Sequence, residues 1–146
     1  MKKILVLSLF ALAVISGSGC GKDSIGTKPM ISFLSYSSDP VISSNGMDVH
    51  FQVKDGDGDV ENSFNFVAIY DIQVDTDTVF TSRKMPNLDA HNGTNLTAEV
   101  ILHQESIDFP NTGIPKDSVH YLVFITDNAG NISDTIATPK IEILYQ

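Results

Sequence analysis

Apolar and polar positions alternate with a period of two along most of this chain. Met47, Val49, Phe51 and Val53 are separated by Asp48, His50, Gln52 and Lys54, the pattern of an extended segment with one face in a core and the other in water. Leu96, Ala98, Val100 and Leu102 repeat it against Thr97, Glu99 and His103. Phe64, Phe66, Ala68, Tyr70, Ile72 and Val74 form one side of a longer strand, whereas SVHYLVFIT, residues 118–126, is apolar on both sides and predicts a strand in the middle of a sheet. Strands are also predicted at residues 30–36, 78–82 and 136–144, and no helical stripe of comparable quality is present. Turn signals divide these segments: SDP at 38–40, SNG at 44–46, HNGTN at 91–95 and NAGN at 128–131. About seven short strands at such spacing predict an all-β fold, an antiparallel β-sandwich.

The start of the chain does not follow this period. Lys2 and Lys3 precede a nearly unbroken apolar run from Ile4 to Ile15, and the small residues SGSG lead to Cys20. That run is too short for a membrane-spanning helix, which needs about 20 residues, and it has the layout of a secretory signal. With Ser18 and Gly19 before Cys20, the segment resembles the lipobox of bacterial lipoproteins, with Gly17 where that pattern carries an aliphatic residue. The resemblance implies acylation of Cys20 and anchoring in a bacterial cell envelope, at the outer membrane facing the periplasm or the surface. Ordinary cleavage after Gly17 or Gly19, leaving a free thiol, is the alternative. The expected organisation is a signal at 1–19, a lipidated tether at 20–28, where GKDSIGTK lacks periodicity, and one domain at 29–146.

Charge narrows the partners. Removal of the signal takes the nine basic residues to seven against 18 acidic ones, a formal net charge of −11. Affinity for nucleic acid comes from Lys and Arg neutralising phosphates, so nucleic acid is excluded as a partner. Cys20 is the only cysteine, so no disulfide within the chain holds the domain together.

The second half sharpens the fold. In IPKDSVHYLVFITDNAGNIS, residues 114–133, a tyrosine opens a strand and a D-x-A-G-N-x-S turn follows it. This resembles the end of a fibronectin type III or related immunoglobulin-like domain, where the tyrosine begins strand F and the turn leads into strand G. Asp117 stands four residues before Tyr121, and the resemblance implies a tyrosine corner, in which the Tyr121 hydroxyl bonds upstream backbone. The tryptophan and cysteine pair typical of such domains are absent.

One stretch carries candidate chemistry. KDGDGDVE, residues 54–61, places Asp55, Asp57, Asp59 and Glu61 on alternate positions, with glycines that let the backbone curl. Calcium is the natural partner of such a set, because it takes six to eight oxygen ligands. The loop is not an EF-hand: Val60 stands at the sixth position instead of Gly, and Phe66 at the twelfth instead of Glu. If 47–54 is strand B and 118–126 is strand F, the B–C and F–G loops share one end of the sandwich, and Asp127, Asn128 and Asn131 complete the site that Asp55, Asp57 and Asp59 begin. Asp and Asn beside Gly also bond local backbone in any tight turn, and the stretch is read first as such a turn, one that can bind calcium weakly.

Catalytic motifs are missing: there is no G-x-S-x-G elbow, H-E-x-x-H, phosphate loop or dinucleotide fingerprint, and His50, His91, His103 and His120 are scattered. Four Asp-Ser/Thr-apolar triplets, beginning at Asp23, Asp77, Asp117 and Asp134, resemble acceptors of periplasmic O-glycosylation. The reading is a lipid-anchored, non-catalytic binding or structural module with a protein or glycan ligand, whose B–C and F–G loops offer a weak site for calcium and for no other cofactor. A small glycan hydrolase with paired carboxylates and a calcium-dependent adhesin are the alternatives.

Overall fold

The computed structural model describes residues 26–72, 79–86, 93–110 and 113–146. The signal, Cys20 and most of the tether lie outside the described residues, as do Val74, Thr78 and His91. Nine strand segments are described: β1 (Met30–Tyr36), β2 (Val41–Ile42), β3 (Met47–Asp55), β4 (Ser63–Tyr70), β5 (Thr81–Lys84), β6 (Leu96–Gln104), β7 (Lys116–Thr126), β8 (Ile136–Ala137) and β9 (Ile141–Leu144). Among the described residues there is no α-helix, and none is long and apolar enough to cross a membrane. The fold is all-β.

The strands form two sheets. One has the order β1-β3-β6, the other β2-β9-β7-β4-β5, with β8 also paired to β7. Every pairing is antiparallel except β2 with β9. Period-two patterning puts alternate residues of β3 and β7 inward, and Val49, Phe51, Val53, Val119, Tyr121, Val123 and Ile125 are fully buried. The sheets face each other across one core, in which the rings of Phe51 on β3 and Phe64 on β4 meet edge to face at 5.5 Å. Each such side chain contributes about 1.5–3 kcal/mol by leaving water.

The predicted strands at 30–36, 47–54, 96–103 and 118–126 are present, with β7 between β4 and β9 as a central strand. The others are altered. β4 ends at Tyr70: the Asp71 amide still bonds the Ser118 carbonyl of β7, but the Ile72 amide bonds the side-chain Oδ1 of Asp117 instead of backbone. β5 runs Thr81–Lys84 instead of 78–82, because Phe66, Asn65, Phe64 and Ser63 of β4 pair with those four residues. The segment predicted as one strand at 136–144 is divided at Pro139, which has no N–H to donate. Both halves pair with β7, but four steps from Ala137 to Ile141 oppose three from Leu122 to Val119, so one residue bulges out.

The tyrosine corner is not formed. Tyr121 is fully buried and its hydroxyl has no hydrogen-bond partner. The tie at this place comes from the bulge: the Tyr121 amide donates to Thr138 Oγ1 at 2.8 Å, and the Thr138 amide donates to the Tyr121 carbonyl at 2.9 Å. The Tyr36 hydroxyl lies 2.6 Å from both Thr138 Oγ1 and the Pro139 carbonyl, joining the last residue of β1 to the opposite sheet. Tyr121 packs as a core residue because its backbone, not its hydroxyl, carries the link.

Candidate functional site

Two inward rows of side chains end in carboxylates at the same pole. On β3 the row Met47, Val49, Phe51, Val53 continues to Asp55, and beyond β7 the row Val119, Tyr121, Val123, Ile125 continues to Asp127. Both aspartates are 0% exposed. A strand's period of two fixes which face a side chain joins, so these carboxylates are placed where core residues would stand.

The loop after β3 adds the third member. Gly58 takes a left-handed φ of 72°, which a residue with a Cβ adopts only with strain, and the chain folds back so that the Asp59 amide donates to Asp55 Oδ2 at 3.0 Å. Val60, fully buried, anchors the far side of the loop in the core. Asp59 then reaches the loop after β7: its carbonyl accepts from the Asn128 amide at 2.8 Å, and its Oδ2 accepts from the Ala129 amide at 3.1 Å. One oxygen from each of Asp55, Asp59 and Asp127 lies within 4.8 Å of the others.

The two loops are brought together as the sequence predicted, but the six named residues take different parts. Asp55, Asp59 and Asp127 form the cluster. Asp57 stands beside it, with a buried Oδ1 that has no partner and a carbonyl that accepts from the Gly93 amide. Asn128 contributes its backbone N–H while its side chain is exposed. Asn131 acts as a donor, its amide nitrogen to Asp127 Oδ2 and its backbone N–H to Asp127 Oδ1, both at 2.7 Å. Two participants escaped the sequence reading. Asn62 donates to the Asp127 carbonyl at 3.1 Å, and the segment Gly26–Lys28 packs against both loops. Parity along β3 and β7 was the available signal for Asp55 and Asp127; nothing in the sequence marked Asn62.

The electrostatics of the cluster are unbalanced. Asp55 Oδ1, Asp57 Oδ1 and Asp59 Oδ1 are buried without any hydrogen-bond partner. Among the described residues, no lysine or arginine is paired with the clustered acids. Burial, and then the adjoining Asp57 carboxylate, pushes Asp55 up to about 6, and burial with the charges of Asp127 and Asp57 raises Asp59 as well. An unpartnered buried carboxylate oxygen is costly, because nothing replaces its lost hydration.

Asp55, Asp59 and Asp127 could hold a hard cation. Two oxygens on opposite sides of one calcium ion, each at about 2.4 Å, lie about 4.8 Å apart, so oxygens this close fit a single coordination shell. The donor set is entirely oxygen, which favours calcium or magnesium over zinc or copper. Asp55, Asp57 and Asp59 each retain a buried oxygen without a hydrogen-bond partner, and carbonyls or water would supply the remainder. The chain gave no match to protein-family models, to curated proteins or to solved structures.

Proposed function

We propose that this chain is a lipid-anchored cell-envelope protein whose domain is an immunoglobulin-like, fibronectin type III-like sandwich, acting as a non-catalytic binding or structural module that holds one calcium ion between two loops. The sheet order supports the fold reading: β1-β3-β6 in one sheet and β9-β7-β4 in the other are the neighbours that the orders A-B-E and G-F-C of such a sandwich require. The observation that carries the calcium reading is the trio of buried, unpartnered oxygens on Asp55, Asp57 and Asp59. Tight turns use aspartate oxygens to accept backbone N–H groups, and a turn alone leaves no reason to bury three that accept nothing.

Position favours a role near the membrane. Gly26 lies against the same loops, and the six residue steps from Cys20 to Gly26 span at most about 21 Å when extended. A lipid on Cys20 therefore holds the acidic pole close to the bilayer. Without a cation this pole repels anionic headgroups; with one it approaches them, or a protein or glycan ligand, at lower electrostatic cost.

The test is calorimetric titration of the mature chain with calcium, alongside thermal melts. Binding to the native state at ten times Kd adds about 1.4 kcal/mol, a rise in Tm of about 3–6 °C for a domain of this size. No heat and no shift at millimolar calcium would return the loop to an ordinary turn.

A further inference from the structure

The cation site and the point of chain entry are joined by hydrogen bonds. Gly56, next to the cluster's Asp55, donates its amide to the Gly26 carbonyl at 3.2 Å. On the other wall, the Asn131 side-chain nitrogen lies 3.2 Å from the Thr27 carbonyl and 2.7 Å from Asp127 Oδ2, so a single amide group links a clustered carboxylate to the entry segment. Lys28, following Thr27, pairs with Asp134 at 2.7 Å on the exposed surface. Residues 26–28 are thus gripped from both loops that supply the carboxylates. The grip and the cluster share Asn131, and Gly56 adjoins Asp55.

We propose that cation binding at Asp55, Asp59 and Asp127 clamps the entry segment Gly26–Lys28 onto the domain, so that calcium sets how rigidly the domain stands on its N-terminal tether. This rests on the calcium reading above. The second observation, separate from the clustering of acids, is the burial of Asp55: the residue is 0% exposed, its Oδ1 has no hydrogen-bond partner, and its carboxylate has an oxygen within 4.8 Å of oxygens of Asp59 and Asp127. The mechanism is electrostatic. With the site empty, like charges push the loop after β3 from the loop after β7, and the two hydrogen bonds to residues 26–27 are held by walls under mutual repulsion. An ion between the walls reverses the sign of that force and fixes Gly56 and Asn131 in the positions from which they donate. Coupling of this kind is reciprocal, so a docked entry segment strengthens calcium binding by the same factor that calcium strengthens docking.

The experiment uses the full chain in mild detergent, isotopically labelled, with calcium chloride or chelator. Backbone relaxation at Thr27 and Lys28 reports the entry segment, and calorimetry reports binding of the ion. Calcium is expected to bring the heteronuclear NOE of Thr27 to the level of β3. Asn131→Ala removes one of the two links while leaving the carboxylates and the backbone N–H to Asp127 Oδ1. It should still bind calcium, about 2–10-fold more weakly for one lost hydrogen bond, and lose most of the calcium-dependent ordering at Thr27. Heat of binding with unchanged relaxation at Thr27 would overturn the clamp and leave the site standing. Full ordering in Asn131→Ala would overturn it too. Absence of heat in the unaltered chain removes the site, and the clamp with it.

Discussion

Asp55 is the residue on which the largest opposing effects meet. It occupies a core position on β3, yet one of its oxygens has no partner and its neighbours are carboxylates. Asp55→Asn keeps an acceptor for the Asp59 amide, removes the charge and offers a donor to the orphaned oxygens. At neutral pH without calcium, the variant is expected to be more stable than the natural chain by about 1–3 kcal/mol and to lose the calcium-induced rise in Tm; paired melts with and without chelator check this. An ordinary turn predicts no gain. The pH dependence has a definite sign. The folded chain holds the Asp55 proton up to about 6, against 3.8 as the ordinary value, so in that window the folded state binds more protons than the unfolded one. The contribution of this group to stability is therefore fully present below about pH 4 and lost as pH rises through about 6. Urea midpoints of the calcium-free chain should fall across that window, and Asp55→Asn should flatten the fall.

Strand elements were legible wherever one face is apolar and the other polar, because a period of two states both the conformation and the buried side. β1, β3 and β6 follow directly from that rule, and β7 from a run that is apolar on both faces. Local pattern misjudged elements whose limits are set by partners: β5 begins where β4 offers hydrogen bonds, and the last predicted strand is cut by the bulge at Pro139. The Tyr121 hydroxyl shows the same limit, since its spacing from Asp117 suited a corner but the Thr138 backbone and side chain took over the link. The turn at Gly46 is more determinate. Its φ is 72°, and an added Cβ would lie 2.6 Å from the Gln104 carbonyl oxygen. Backbone cannot yield as a side chain tip does. Gly46→Ala should cost about 1–3 kcal/mol, seen as a lowered urea midpoint with the slope unchanged.

If Cys20 carries a lipid, Cys20→Ser should move the protein from the membrane fraction to the soluble fraction and abolish labelling by radioactive palmitate, while leaving the melt of the domain unchanged. The lipid supplies membrane affinity, about 0.8 kcal/mol per buried methylene, and takes no part in the core. Local order along the chain was enough for the all-β character, the places of the principal strands and the presence of an acidic, glycine-containing loop, since each depends on residues within a few positions of one another. Which acids meet depends on pairing between distant strands. Asp59 and Asp127 are far apart along the chain, and they adjoin because β4 and β7 pair in a register that sets Ser63 against Thr126. Tertiary pairing likewise turned Asn131 into a donor toward Asp127 and Thr27. Side-chain roles of this kind follow from sheet register and from burial that shields carboxylate oxygens from bulk solvent, neither of which is written in local spacing.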